Sequence, residues 1–199
     1  MNIVLSEDQT LIRESARRFV AEHGGGDRLR KLRDGDGTGF EPQDLIDAGA
    51  GGWLGLIAPE EVGGAGLGTK ELCLVAEQAG RALTTVPLFQ AAGGILALSQ
   101  AGGVFAELLG CAIAGEMLVV PALQGNSRGE DEYAVKASWE GGLSLSGYLL
   151  AVPAAADADA FIVDAGEGKA RAIVLVRRDA SGVTTVGQKA IDGSPIGTL

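Results

Sequence analysis

The chain has 199 residues, 46% of them hydrophobic and 21% charged, a composition that supports a sizeable core and excludes intrinsic disorder. Its formal net charge is −10 and evenly spread, with nine basic against 14 acidic residues in 1–100 and seven against 12 in 101–199, so no basic block exists for nucleic acid or an anionic membrane. One His and two Cys are too few for a His/Cys metal site, and 32 glycines, well above the usual share of about 7%, lack a collagen period.

The N-terminus, Met1 to Asp8, carries no basic segment followed by a long apolar one, so a signal peptide is not expected. No run reaches the roughly 18 apolar residues of a membrane span. A cytoplasmic protein is the resulting expectation. Cys73 and Cys111 fall in predicted helices among apolar neighbours and read as reduced core thiols.

Ser6 and Gln9 form a capping-box pattern, which satisfies an orphan amide at a helix start. Ile12, Ala16, Phe19, Val20 and His23 follow at helical spacing, and Gly24-Gly25-Gly26 ends that helix. His23 is expected at the helix C-terminus, where a cation suits the dipole. Arg28-Leu29-Arg30-Lys31 reads as a solvated cluster. Pro42 suits the first turn of a second helix carrying Leu45, Ile46 and Ala48. A third helix is predicted from about Thr69 to Leu83, with Leu72, Ala76, Ala79 and Leu83 on its apolar face. A fourth follows Pro87 with Leu88, Ala91, Ala92, Ile95 and Ser99. A fifth covers about Val104 to Ala114, with Phe105, Leu108, Leu109 and Ala112. Small residues on the apolar faces suit a closely packed bundle.

After Gly115 the period becomes two-fold. Met117 to Leu123 reads as an apolar run ending a connection. Tyr133, Val135 and Ala137 alternate with polar residues, Glu140-Gly141-Gly142 turns, and Leu143, Leu145 and Gly147 resume the alternation. Ala160 to Val163 and Ala172 to Val176 read as buried strands around a turn at Gly166-Glu167-Gly168. Val183 to Val186 is a further strand and Asp192-Gly193 a further turn. The expected fold class is α+β: an all-α helical bundle over 1–115, then an antiparallel β-barrel or sandwich over 116–199. The turn at Asp192-Gly193 normally leads into a partner strand, so the β part is expected to be incomplete and the chain truncated.

Gly63-Gly64-Ala65-Gly66-Leu67-Gly68-Thr69-Lys70 is superficially like a phosphate-binding loop. The order Gly-Thr-Lys and the missing preceding strand argue against it. A tight irregular loop using positive φ is the better reading.

The wider segment Gly52-Trp53-Leu54-Gly55-Leu56-Ile57-Ala58-Pro59-Glu60-Glu61-Val62-Gly63-Gly64-Ala65-Gly66 resembles a signature of the acyl-CoA dehydrogenase family. Leu5-Ser6-Glu7-Asp8-Gln9, Ala76-Glu77-Gln78-Ala79-Gly80-Arg81, Leu145-Ser146-Gly147 and Ala158-Asp159-Ala160-Phe161-Ile162-Val163 resemble further pieces of it, in order. The resemblance implies an FAD-dependent oxidoreductase that converts an acyl-CoA thioester, fatty or steroid side-chain, to the 2,3-enoyl-CoA. In such a reaction a carboxylate in a dry pocket removes the α-proton and the flavin takes the hydride. Electron-transfer flavoprotein is an implied acceptor, and assembly with the same or other dehydrogenase-like chains is implied.

By the same resemblance a further helical domain normally carries the base, so no catalytic residue is assigned here; Glu71, Glu77 and Glu107 read as surface or helix-packing carboxylates. The flavin-contacting segment corresponds to Leu123 through Asp131, with Leu123, Gln124 and Gly129 as cofactor residues. Gln124 replaces a hydroxyl, and Glu130 stands where a serine usually meets the CoA chain. Ala151-Val152-Pro153 replaces Trp-Ile-Thr, which leaves Val152 and Pro153 for packing against the ring and removes two contacts. A weak or incomplete FAD site follows. Thr85, Val86, Pro87 and Phe89 correspond to the base of the acyl cavity; helix start and core packing explain them equally well. A non-catalytic partner subunit of a heteromeric enzyme and a plain acyl-CoA-binding module are the alternative functions.

Overall fold

The computed structural model describes residues 4–35, 39–123 and 133–199. It divides into two compact units, 1–117 and 118–199.

The first unit is helical. Helix α1 (Glu7–Glu22) starts at the predicted capping box: Ser6 Oγ accepts from the Gln9 amide and Gln9 Oε1 from the Ser6 amide, both at 3.1 Å. Helix α4 (Thr69–Ala82) packs along α1. The two run parallel, because Gln9 meets Glu71 at their starts while the Thr84 hydroxyl donates to the His23 carbonyl at their ends. Helix α3 (Pro42–Ala50) begins at the predicted proline and buries Leu45 and Ala48. Helix α5 (Leu88–Gln100) and helix α6 (Ala106–Ala114) pack on each other. Leu88, Ala91, Ala92, Ile95, Leu98 and Leu109 join Val20, Leu54 and Val75 in the core.

Two local expectations fail, and one element was not foreseen. Residues 26–34 form a helix, α2 (Gly26–Asp34), that carries the cluster at 28–31; it buries no residue, so no apolar period announced it. The buried face of α4 is Val75, Gln78 and Ala79, while Leu83 is its C-cap, half exposed at φ 52°. Cys73 is exposed and Cys111 only partly covered, so Cys73 is not a core thiol.

The second unit has two sheets. In the first the order is β1 (Val119–Ala122), β5 (Ala160–Glu167), β2 (Val135–Ser138), β3 (Ser144–Gly147), with β6 (Ala170–Arg177) on the other edge of β5. In the second the order is β4 (Val152–Pro153), β8 (Pro195–Thr198), β7 (Val186–Lys189). The second sheet is antiparallel as expected, but the first is mixed: β5 pairs in parallel with β1 (Val120 opposite Phe161) and with β2 (Val135 opposite Ala165). A central strand covered on both faces loses alternation and reads as a continuous apolar run, as Ala160 to Val163 does; all four are buried. The described strands close no barrel. The run 117–123 contains a strand rather than a connection. Residues 183–185 precede β7, and β6, expected to be buried, leaves Ile173 58% exposed.

Candidate functional site

The glycine-rich loop comes first because its backbone decides its chemistry. Gly63 and Gly66 have φ of 88° and 61°, values that favour glycine. All six amides from 63 to 68 are spent inside the protein. Gly63 donates to the Glu60 carbonyl, Gly64 to Pro59, Ala65 to Gly55, Gly66 to Ala58 and Leu67 to Leu56, at 2.8–3.0 Å. The Gly68 amide donates to Glu71 Oε2 at 3.1 Å. No amide is left to cradle a phosphate; the loop is a structural clasp.

Thr85, Val86, Pro87 and Phe89 lie together at the α4–α5 junction. Val86 and Pro87 are buried, Phe89 is 38% exposed and Thr85 is half buried. The Thr85 Oγ1 atom is itself buried and has no hydrogen-bond partner among the described residues. A buried hydroxyl without a partner is costly, which sets Thr85 apart from its neighbours.

In the second unit Leu123 follows β1 and is half exposed. Val152 is completely buried and pairs with Gly197; Pro153 pairs with Ile196. Ala151 and Ala154 flank this pair at φ of 54° and 51°, a region non-glycine residues enter at a cost of order 1–3 kcal/mol. The Ala154 amide donates to the Pro195 carbonyl at 2.8 Å and helps hold that geometry. Gln124, Gly129 and Glu130 lie outside the described residues. A cleft of about 370 Å³ in this unit is lined by Val135, Leu145, Tyr148, Val163 and Val176, among others, and by none of these candidates.

The carboxylates are committed or open. Glu71 accepts from Gln9 and Gly68. Glu77 pairs with Arg81 at 2.8 Å, and Glu107 is exposed. Sequence reasoning missed a buried charge cluster. Asp44, 4% exposed, accepts from Arg28 Nη2 at 2.7 Å and lies 2.9 Å from His23 Nδ1. His23 caps the C-terminus of α1, as expected, and also meets Asp44. Among the described residues no group of three or more His, Cys, Asp or Glu could hold a metal ion. No helix among them is long and apolar enough to cross a membrane.

Residues 6–103 match the family model described as acyl-CoA dehydrogenase, N-terminal domain. The chain is also 32% identical over 148 residues to benzylmalonyl-CoA dehydrogenase of Aromatoleum aromaticum, an alignment covering 67% of this chain and 38% of that protein. The chain belongs to the acyl-CoA dehydrogenase family. Among solved structures it is similar to a variant of the Tcur3481-Tcur3483 steroid ACAD, with 26% identity and a TM-score of 0.84 over 97% of this chain and 54% of the other. It is equally similar to the ChsE4-ChsE5 complex of Mycobacterium tuberculosis, with 26% identity and a TM-score of 0.85 over 100% of this chain and 55% of the other. The chain thus spans about half the length of these relatives.

Family members generally bind FAD. The described residues assigned to it here fit poorly. None of the Leu123, Val152 and Pro153 side chains carries a hydrogen-bond donor, Pro153 has no amide hydrogen, and Val152 is inaccessible.

Proposed function

We propose that this chain supplies the helical domain, residues 1–115, and the middle β domain, from 116, of an acyl-CoA dehydrogenase-type oxidoreductase. The reaction of that enzyme is α,β-dehydrogenation of an acyl-CoA thioester. The single observation that carries this reading is the likeness over 97–100% of the chain to two solved dehydrogenase-family structures at 26% identity. Similarity to a benzylmalonyl-CoA dehydrogenase supports the thioester substrate class. Within the helical domain, Thr85, Val86, Pro87 and Phe89 line the acyl end of the site. Leu123, Gln124, Gly129 and Pro153 make a weak flavin contact, and the buried Val152 supports Pro153 from within the unit. No carboxylate of the chain is proposed as the base, since Glu71 and Glu77 are engaged in structural bonds.

A second reading is favoured by the buried Val152 and the donor-less Pro153: a non-catalytic subunit that partners an active dehydrogenase. The two-protein names of the similar structures support it. Electron-transfer flavoprotein would then dock on the catalytic partner.

The test is to purify the 199-residue chain and record visible absorbance and acyl-CoA-dependent dye reduction. The expected result is substoichiometric flavin and no turnover alone. Stoichiometric, tightly held flavin with activity would overturn the weak-site reading. Co-expression with a second dehydrogenase-like chain separates the two roles: the partner reading requires a stable complex, and a chain that never joins one excludes it.

A further inference from the structure

A cleft of about 550 Å³ runs between the parallel helices α1 and α4. Its charged and polar lining is Arg13, Glu14 and Arg17 from α1 and Glu77, Gln78 and Arg81 from α4. Arg13 and Arg17 are four residues apart and therefore stacked on one helix face, as are Gln78 and Arg81 three apart. Two like charges at this spacing repel unless an anion lies between them. In a chain of net charge −10, this cleft gathers three guanidiniums.

The second observation is Gln78. It is only 7% exposed and lines the cleft, and its side chain forms no hydrogen bond to any described residue. Its amide is not among the fully buried unpartnered atoms, so it reaches the open space of the cleft. Here the amide can both donate and accept toward whatever occupies the cleft.

We propose that the α1–α4 cleft binds a small molecule bearing more than one phosphate-type oxyanion, held by Arg13, Arg17 and Arg81 and oriented by Gln78. Guanidinium forks match phosphate oxygens in bidentate geometry. One helical turn separates Arg13 from Arg17, so a diphosphate can engage both at once. The volume is that of a small-ligand site rather than of one ion. Glu77 already holds Arg81 at 2.8 Å, and Glu14 faces the same space. A dianionic phosphate displaces the Glu77 carboxylate from Arg81, whereas a monoanion competes poorly against both acids. This site is independent of the dehydrogenase reading.

The test uses the intact chain, titrated with inorganic pyrophosphate and separately with succinate at matched ionic strength. Chemical shifts of the arginine Nε–H groups and the Gln78 amide are followed. Pyrophosphate is expected to saturate with shifts confined to Arg13, Arg17, Gln78 and Arg81, and succinate to bind at least about tenfold more weakly. The R13Q/R17Q variant is expected to lose about tenfold or more in pyrophosphate affinity. Gln78→Met, which keeps the shape, is expected to lose several-fold, with an otherwise unchanged amide spectrum. Absence of saturation, equal affinity in R13Q/R17Q, shifts spread over the Asp-paired Arg171 and Arg177, or succinate binding as tightly as pyrophosphate would each overturn the proposal.

Discussion

Gln9 and Glu71, 62 positions apart, are joined by a 2.8 Å hydrogen bond from the Gln9 amide to Glu71 Oε1. Each residue also closes its own helix start, Gln9 on Ser6 and Glu71 on Gly68. The bond thus registers α1 against α4 while both first turns are capped, coupling local helix formation to tertiary packing.

The Gln9 hydrogen bond, followed by backbone amides, holds the Glu71 carboxyl below the usual carboxylate range. A depressed folded value means stabilisation that is present above the unfolded value of about 4.3 and lost as pH falls through the folded one. Glu71→Ala is expected to cost about 1 kcal/mol at neutral pH, the size of a lost cap. Urea denaturation of both proteins down to the acid range should show this difference shrinking below about pH 4.

Asp44 is the hub of α1, α2 and α3. Its carboxylate takes Arg28 and His23, and its Oδ2 accepts the Glu41 amide at 3.3 Å at the start of α3. Removing it leaves three partners without their acceptor. Asp44→Ala is expected to destabilise by about 3 kcal/mol, whereas Arg30→Ala, which breaks an exposed pair with Asp27, should be silent. Equal effects in thermal melts of the two variants would refute the hub.

The same cluster shows where the sequence stops being readable. Helices α1, α3, α4, α5 and α6 announce themselves by caps, prolines and apolar spacing, which are local signals. Helix α2 has no buried residue; its Arg28 meets Asp44 sixteen positions away, a contact no window reveals. The parallel pairing of β5 with β1 and β2 is equally non-local, so adjacent strands alone suggested an antiparallel unit. The Gly52–Gly66 segment was sufficient to indicate the family. The Thr85 hydroxyl and the Gln78 cleft needed coordinates, since both depend on the absence of a partner.

Gly49 and Gly80 are both helical glycines with opposite expected responses. A Cβ at Gly49 would overlap the Ala114 carbonyl, where α3 meets the end of α6. Gly49→Ala should cost about 1–3 kcal/mol through overpacking. Gly80 has nothing within 4 Å of an added Cβ, so Gly80→Ala should stabilise by about 0.5–1 kcal/mol through helix propensity. Denaturant midpoints that move in the same direction for both would contradict the α3–α6 contact.

Asp157 behaves oppositely to Glu71. Burial pushes its carboxyl above the usual value, with the Arg178 charge pulling partly back, and its Oδ1 has no hydrogen-bond partner among the described residues. A raised folded value favours the protonated form in the native state. Its benefit is complete below the unfolded value of about 3.9 and disappears as pH rises through the folded one. Asp157→Asn should therefore gain stability at neutral pH, by a few tenths to about 1 kcal/mol given its half-exposed position. The gain should fade in acid, and a pH-independent difference in urea midpoints would rule out the titration.

Thr85→Val separates structure from site at the α4–α5 junction. Replacing an unpartnered buried hydroxyl with a methyl of the same shape removes a desolvated polar atom, so stability should hold or rise by about 1 kcal/mol. If Thr85 lines the acyl end of the site, the variant should also discriminate among acyl groups: an oxygen-bearing acyl-CoA should bind several-fold more weakly, an aliphatic one unchanged or better. Both affinities are measured by calorimetry on the chain in complex with its catalytic partner, or alone where it binds thioester alone. Stability that falls instead would mean that the hydroxyl has a structural partner, and affinities that move together would remove Thr85 from the acyl site.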